Sequence, residues 1–244
     1  MLAVLLVLLL LLGLVNASHA QSQFEKDSFQ TSKEDLEITF IGHGTIIFTF
    51  QDKVIHLDPW SDLADYNQLP KADIVLITHE HHDHLDLNAI EGIKKEDTLV
   101  VLTELCSEKI DTGLIMKNGD VQTLKDMIIE AVPAYNIQHK RDNGQHFHPK
   151  GAGNGYILTF GELRVYVAGD TENIPEMKDI EKIDIAFLPM NLPYTMTPEM
   201  VADAAKMVKP KILYPYHFGN TDTNQLIELL KDQKELEVRI RKMS

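Results

Sequence analysis

The chain has 244 residues, 37 acidic against 23 basic side chains, and a formal charge of −14. An apolar content of 44% excludes a disordered chain and the single Cys106 excludes a disulfide scaffold. The acidity argues against a general nucleic-acid binder and against a basic membrane-surface protein, while the length suits one sizeable domain.

Residues 2–15 contain only Leu, Val, Ala and one Gly. As a helix this run would rise about 21 Å, short of the roughly 30 Å hydrocarbon core. Small residues at Ser18 and Ala20, followed by polar Gln21, suit signal-peptidase cleavage after Ala20. The expectation is a signal peptide over 1–20 and a mature protein that is secreted or periplasmic, with no stable membrane span. No Lys or Arg precedes the apolar run, so an uncleaved, membrane-anchoring signal is the alternative. Residues 21–35 are polar and aperiodic and read as a leader; residues 36–244 read as the folded domain.

Short β-branched runs at 38–41, 45–50 and 54–57 predict an antiparallel meander, broken by Gly42-His43-Gly44 and Gln51-Asp52-Lys53. The continuous apolar run at 74–77 predicts a strand covered on both faces. Further strands are expected at 99–102 and 127–132, with helix-length stretches between them. A hairpin turned by Gly161 is expected from 156–160 and 163–168, and two more strands at 183–188 and 212–216. Thr197 as N-cap, Pro198 at the first helical position and the spacing of Met200, Val201, Ala204, Met207 and Val208 predict a helix ended by Lys209-Pro210. Its methionines recur at core spacing and read as packing. A last amphipathic helix is expected over about 223–235, with Leu226, Ile227, Leu229 and Leu230 inward. The pattern fits a single α+β domain.

Four of the 11 histidines fall in His79-Glu80-His81-His82-Asp83-His84, directly after the 74–77 strand. Neutral imidazole and carboxylate are ligands for Zn²⁺ and related divalent cations. If the chain is still extended through His81, His79 and His81 point to one side, and Asp83 and His84 lie on the turn beyond. Other strand ends supply further donors: Asp170 after 163–168, His217 after 212–216, and Asp58 after 54–57, placed to accept from the N–H of a ligand histidine. A further donor is expected between residues 131 and 155, where His148 is favoured over His146, with the Asn136 amide oxygen third. Trp60, Tyr66, Leu69, Leu192, Pro193 and Tyr194 either shape an apolar pocket at the rim or pack the core. Cys106, flanked by Leu105, reads as buried and inert.

His79, His81, Asp83 and His84 form an H-x-H-x-D-H motif, accompanied by Asp58, Gly169-Asp170-Thr171 and Tyr216-His217. In these motifs the chain resembles the metallo-β-lactamase-fold hydrolases from about Leu36 to its end. Gly42-His43-Gly44-Thr45 and Ala168-Gly169-Asp170-Thr171 are most similar to the branch of ascorbate-6-phosphate lactonases and N-acyl-phosphatidylethanolamine phospholipase D. One departure is Asn136, where the phospholipase branch carries a histidine. The resemblance implies a four-layer αββα sandwich and a dinuclear site at one edge of its sheets. His79, His81 and His148 would hold one ion, Asp83, His84 and His217 the other, and Asp170 would bridge both. The ions would be two divalent cations, Zn²⁺ first, with Mn²⁺ and Fe²⁺ compatible. A water shared by them is driven towards hydroxide, with Asp83 and Asp170 as the catalytic carboxylates. His43 would touch substrate, support a ligand or simply pack.

This implies a hydrolase acting on an ester, lactone, phosphodiester or amide of a small molecule. His81 stands where a redox di-iron site would carry a carboxylate, which favours hydrolysis. A non-catalytic metal- or ligand-binding protein on the same fold is the alternative. A nuclease is a third reading, opposed by the charge of −14.

Overall fold

The described residues of the computed structural model, 24–244, form two seven-stranded sheets. The expected signal segment, 1–20, lies outside them. The first sheet runs in chain order through β1 (Glu25–Phe29), β2 (Leu36–Gly42), β3 (Thr45–Phe50), β4 (Lys53–Leu57), β5 (Ile74–Leu76), β6 (Leu99–Leu102) and β7 (Leu114–Ile115). β1 to β4 pair antiparallel and β4 to β7 parallel. The second sheet repeats that plan with β8 (Val121–Leu124), β9 (Met127–Ala134), β10 (Gly153–Phe160), β11 (Leu163–Val167), β12 (Ile185–Pro189), β13 (Ile212–Tyr216) and β14 (Glu237–Val238). β8 to β11 are antiparallel and β11 to β14 parallel.

The period of two sorts the side chains into layers. Ile74, Leu76 and Val101 enter the main core, whereas Val75, Ile77, Val100 and Leu102 face outwards into a second apolar cluster. That cluster receives Ala89, Ile90 and Ile93 of α1 (Leu87–Ile93), which Asp86 caps by accepting from the Asn88 and Ala89 amides. On the second sheet the outer layer is α2 (Pro198–Val208) and α3 (Thr223–Leu230). α2 starts and stops as expected: Thr197 accepts from the Met200 amide, and Lys209 in a left-handed conformation donates to the Ala205 carbonyl. Aromatic rings fill the space between the sheets, with Phe40, Phe187 and Tyr214 mutually in contact. The architecture is the expected α+β sandwich.

Three local expectations are corrected. The polar leader 21–35 contains β1, an edge strand in register with β2 from Glu25↔Phe40 to Phe29↔Leu36. Its half-buried middle residue is not apolar but Asp27, which accepts two 2.7 Å hydrogen bonds from Arg241 and another from the Tyr214 hydroxyl. Residues 103–126 form no α-helix, because their apolar residues are too sparse for a helical stripe and pair instead as β7 and β8. α3 ends at Leu230; Leu226 and Leu230 are buried at i, i+4, while Ile227 and Leu229 are exposed. Among the described residues no helix is long and apolar enough to cross a membrane.

Burial works to raise the Asp27 pKa, but the hydrogen bonds from Arg241 and Tyr214, with the charge of Arg241, outweigh it and hold the carboxyl below its ordinary 3.8. A carboxyl depressed by folding contributes stability that is present above its unfolded pKa and lost as pH falls through the folded one. Asp27→Asn should therefore destabilise the chain at pH 7 by about 1–3 kcal/mol, with the difference from wild type shrinking in acid. Urea unfolding of both proteins across the acid range measures it.

Candidate metal centre

The site is built where parallel strands end. β4 runs into Asp58, β5 into Thr78-His79, β11 into Gly169-Asp170 and β13 into His217, while the β2–β3 turn supplies His43. His43, Asp58 and His217 all adopt left-handed backbone conformations, with φ of 50°, 45° and 47°. For non-glycine residues such geometry costs on the order of 1–3 kcal/mol and gathers at functional sites. A 2.9 Å bond from the His217 amide to the His43 carbonyl ties the two sheets together at this edge.

Asp170 is the centre of the cluster. Its Oδ2 lies 3.3 Å from His148 Nε2, 3.6 Å from His84 Nε2 and His217 Nε2, and 3.9 Å from His79 Nε2. Asp83 Oδ2 lies 3.1 Å from His43 Nε2, 3.7 Å from His217 Nε2 and 3.8 Å from His84 Nε2. The donor atoms of His79, His81 and His148 fall within 4.8 Å of one another, as do those of His43, Asp83, His84 and His217; His79, His84 and Asp170 link the two groups.

Two of the imidazoles, His84 and His148, are aimed by a partner on their far side. The buried Asp58 accepts from the Thr78 amide at 2.8 Å, the Thr78 hydroxyl at 2.6 Å and His84 Nδ1 at 2.8 Å, which turns His84 Nε2 towards Asp170. His148 is held by Asn136, whose Oδ1 accepts from the His148 amide at 2.7 Å and from Nδ1 at 2.8 Å. Asn136 thus faces His148 rather than the cluster. His146 lies apart, its Nδ1 3.4 Å from the His139 carbonyl.

Behind Asn136 stands a residue for which the sequence offers no pattern. Glu172 is fully buried and accepts from the amides of Ile137, Gln138 and His139 at 2.7–2.8 Å and from Asn136 Nδ2 at 3.2 Å. Its only local signal is a carboxylate two positions beyond Asp170. Arg141, Phe147 and Asn191 also line the site without having been expected there.

Burial works against charge on Asp170 and Asp83, yet the surrounding imidazoles hold both carboxyls far below their ordinary range. Burial first, and neighbouring imidazoles next, push His79 well down and His81 to about 4. At neutral pH these four side chains are therefore in their metal-ligating forms, whereas Asp170 and Asp58 outweigh burial and raise His84 to about 10, so a cation binding there has to displace its proton. His84 Nε2, His148 Nε2, His217 Nε2 and Asp170 Oδ1 are buried and make no hydrogen bond. Orphaned polar atoms are costly singly, and three such imidazole nitrogens within 3.3–3.6 Å of Asp170 Oδ2 fit a cation set.

A cavity of about 320 Å³ opens onto the cluster, walled by His43, Asp83, Arg141, Phe147, Asp170 and Tyr194. Of the expected rim residues, Trp60 packs 5.1 Å from the His43 ring and Tyr194 5.0 Å from Phe147, whereas Tyr66 and Leu69 join the outer apolar cluster. Cys106 is fully buried, and burial pushes its thiol up, as expected of an inert side chain.

Gly44 lets the β2–β3 turn pass close to the His/Asp cluster. A Cβ there would stand 2.9 Å from His84 Cε1 and 3.6 Å from His217 Cδ2. Asp58 fixes His84, so the ring cannot yield freely. Gly44→Ala should weaken metal affinity by roughly tenfold or more, measured by competition with a chelating dye.

Two mixed sheets with a His/Asp cluster at their common strand ends define a metallohydrolase architecture. Residues 37–217 match the model of the β-lactamase superfamily domain. The chain is 33% identical over 201 residues to a UPF0173 metal-dependent hydrolase of Koribacter versatilis, covering 76% of this chain and 85% of that one. It is 53% identical to a crystal structure from Parabacteroides distasonis described as a metal-dependent hydrolase, covering 91% of this chain and 100% of that chain at a TM-score of 0.87. A metallo hydrolase from Ignicoccus hospitalis is 25% identical, with 86% and 96% covered and a TM-score of 0.70. The chain belongs to the metallo-β-lactamase superfamily, among the UPF0173 metal-dependent hydrolases.

Proposed function

We propose that this hydrolase works with two divalent cations, Zn²⁺ by preference, on an ester, lactone, phosphodiester or amide bond of a small molecule. The observation that carries the reading is the convergence of four imidazole nitrogens on Asp170 Oδ2, within 3.3–3.9 Å. His79, His81 and His148 would hold one ion and Asp83, His84 and His217 the other, with Asp170 shared. Imidazole-rich sets with a carboxylate suit Zn²⁺. Bound there, the cations would supply Lewis-acid polarisation of the scissile bond and activation of water near neutral pH.

The chain's own side chains do the rest. Asp170 and Asp83 offset cationic charge; Asp58 and Asn136 fix the faces of His84 and His148. His43 Nε2 and Asp83 Oδ2, 3.1 Å apart on the cavity wall, are placed to hold a proton between them. The segment 1–20 would export the enzyme to the periplasm or beyond the cell, and a mature chain starting at Gln21 would be the sign of it.

The test is metal content by elemental analysis, together with turnover of a panel of esters, lactones, phosphodiesters and amides. Two ions per chain and chelator-sensitive turnover support the reading. Bound metal without turnover on any member would favour a binding protein on this fold.

A further inference from the structure

Arg141 is the one arginine of four without a carboxylate partner among the described residues. Arg164 pairs with Glu130 at 2.9 Å, Arg239 with Glu237 at 2.7 Å and Arg241 with Asp27 at 2.7 Å. In a chain of charge −14, with 37 carboxylates available, an unpaired guanidinium is the exception. It is also the only lysine or arginine lining the 320 Å³ cavity over the metal cluster. Glu80 borders a depression on the other side of Arg141 and forms no ion pair with it.

The guanidinium lies 4.9 Å above the Phe147 ring, which orients it, and Phe147 in turn meets Tyr194 edge-on at 5.0 Å. Its acceptors are poor: the Phe147 carbonyl at 3.4 Å and His81 Nε2 at 3.3 Å. The second is not a stable partner. His81 Nδ1 faces His79 Nε2 at 3.0 Å, inside the ligand group. An imidazole that gives Nδ1 to a cation carries its proton on Nε2. His81 and Arg141 then point donor at donor, and only an acceptor lying between them satisfies both.

Resting on the hydrolase reading above, we propose that Arg141 is the binding point for a terminal oxyanion of the substrate, a carboxylate or phosphate. The guanidinium fork presents paired N–H donors that match either group. Arg141 is one imidazole ring away from the cation positions, so the oxyanion and the scissile bond are separated by a short spacer. Phe147 and Tyr194 give that spacer an apolar corner. The substrate class is a compact anionic ester, amide or phosphodiester with a planar or apolar body.

Calorimetric titration of the metal-loaded full chain with 4-hydroxybenzoate, 4-hydroxyphenylphosphonate and phenol tests this without turnover. The expected result is that wild type binds the anionic probes at least tenfold more tightly than phenol. In Arg141→Gln that ratio should fall by tenfold or more, and Arg141→Lys should recover part of it. The more tightly held of the two anions identifies the oxyanion. No preference for the anions in wild type, or an unchanged ratio in Arg141→Gln because the ions alone hold them, overturns the proposal. The readout is a binding ratio, so an intact, Arg141-dependent preference with no hydrolysis of any ester would count against the hydrolase reading alone.

Discussion

Replacing Asp170 with alanine should leave the sandwich folded and cut metal-dependent hydrolysis by roughly a thousandfold or more, about 4 kcal/mol of transition-state stabilisation. The size of the effect follows from position. Asp170 Oδ2 is within 3.3–3.9 Å of imidazoles from both sets of donors, so its loss removes the group the two sets share. It also leaves several buried imidazoles around one centre with less negative charge to offset any bound cation. Asp170→Asn keeps the shape but not the charge, and should lose metal as well. Metal stoichiometry and turnover, with near-ultraviolet circular dichroism as the control for folding, measure the outcome. Retention of two ions and more than a tenth of the rate by Asp170→Ala would contradict the assignment.

The second large effect is expected at Glu172, which touches no proposed ligand. Its buried carboxylate takes the amides of residues 137–139, and through Asn136 it supports the hydrogen bonds that aim His148. Glu172→Ala removes acceptors from three backbone donors at once. The cost should be about 3–6 kcal/mol of stability, from roughly 1–2 kcal/mol for each donor left without a partner. Metal affinity should fall roughly ten- to a hundredfold in addition, the usual effect of losing a residue that orients a ligand. Asn136→Ala separates the two consequences, since it frees the His148 ring while Glu172 keeps its backbone donors. Chemical unfolding and metal titration of both variants measure this. Undiminished metal affinity in Asn136→Ala would show that His148 needs no such support.

The strand-end donors are legible because two simple patterns coincide. An apolar run marks a buried strand, and a cluster of donors where it stops marks the edge of the sheet. His79 and His81 do come together, their rings 4.6 Å apart, but a bend at Glu80 and His81 brings them there, since β5 has already ended at Leu76. What stayed hidden depends on partners far away in the chain. β1 shows no apolar alternation because Asp27 occupies its inward position, made tolerable by Arg241 and Tyr214. His148 is separated from His146 by a reciprocal bond, the Asn136 amide donating to the His148 carbonyl at 2.8 Å, which no local pattern announces. Glu172 and Arg141 are single charges in polar stretches; the donors one gathers and the cavity the other faces give them their roles. The expected α3 overruns Leu230 because Ile227 and Leu229 are apolar in sequence yet lie outside the buried i, i+4 stripe.

The dinuclear assignment is tested most directly by stripping the protein of metal and following hydrolysis as Zn²⁺ is returned in measured amounts. Turnover should be absent at zero ions, rise with addition and reach its plateau at two per chain. Full turnover by the stripped protein, or a plateau reached with one ion per chain, would contradict it.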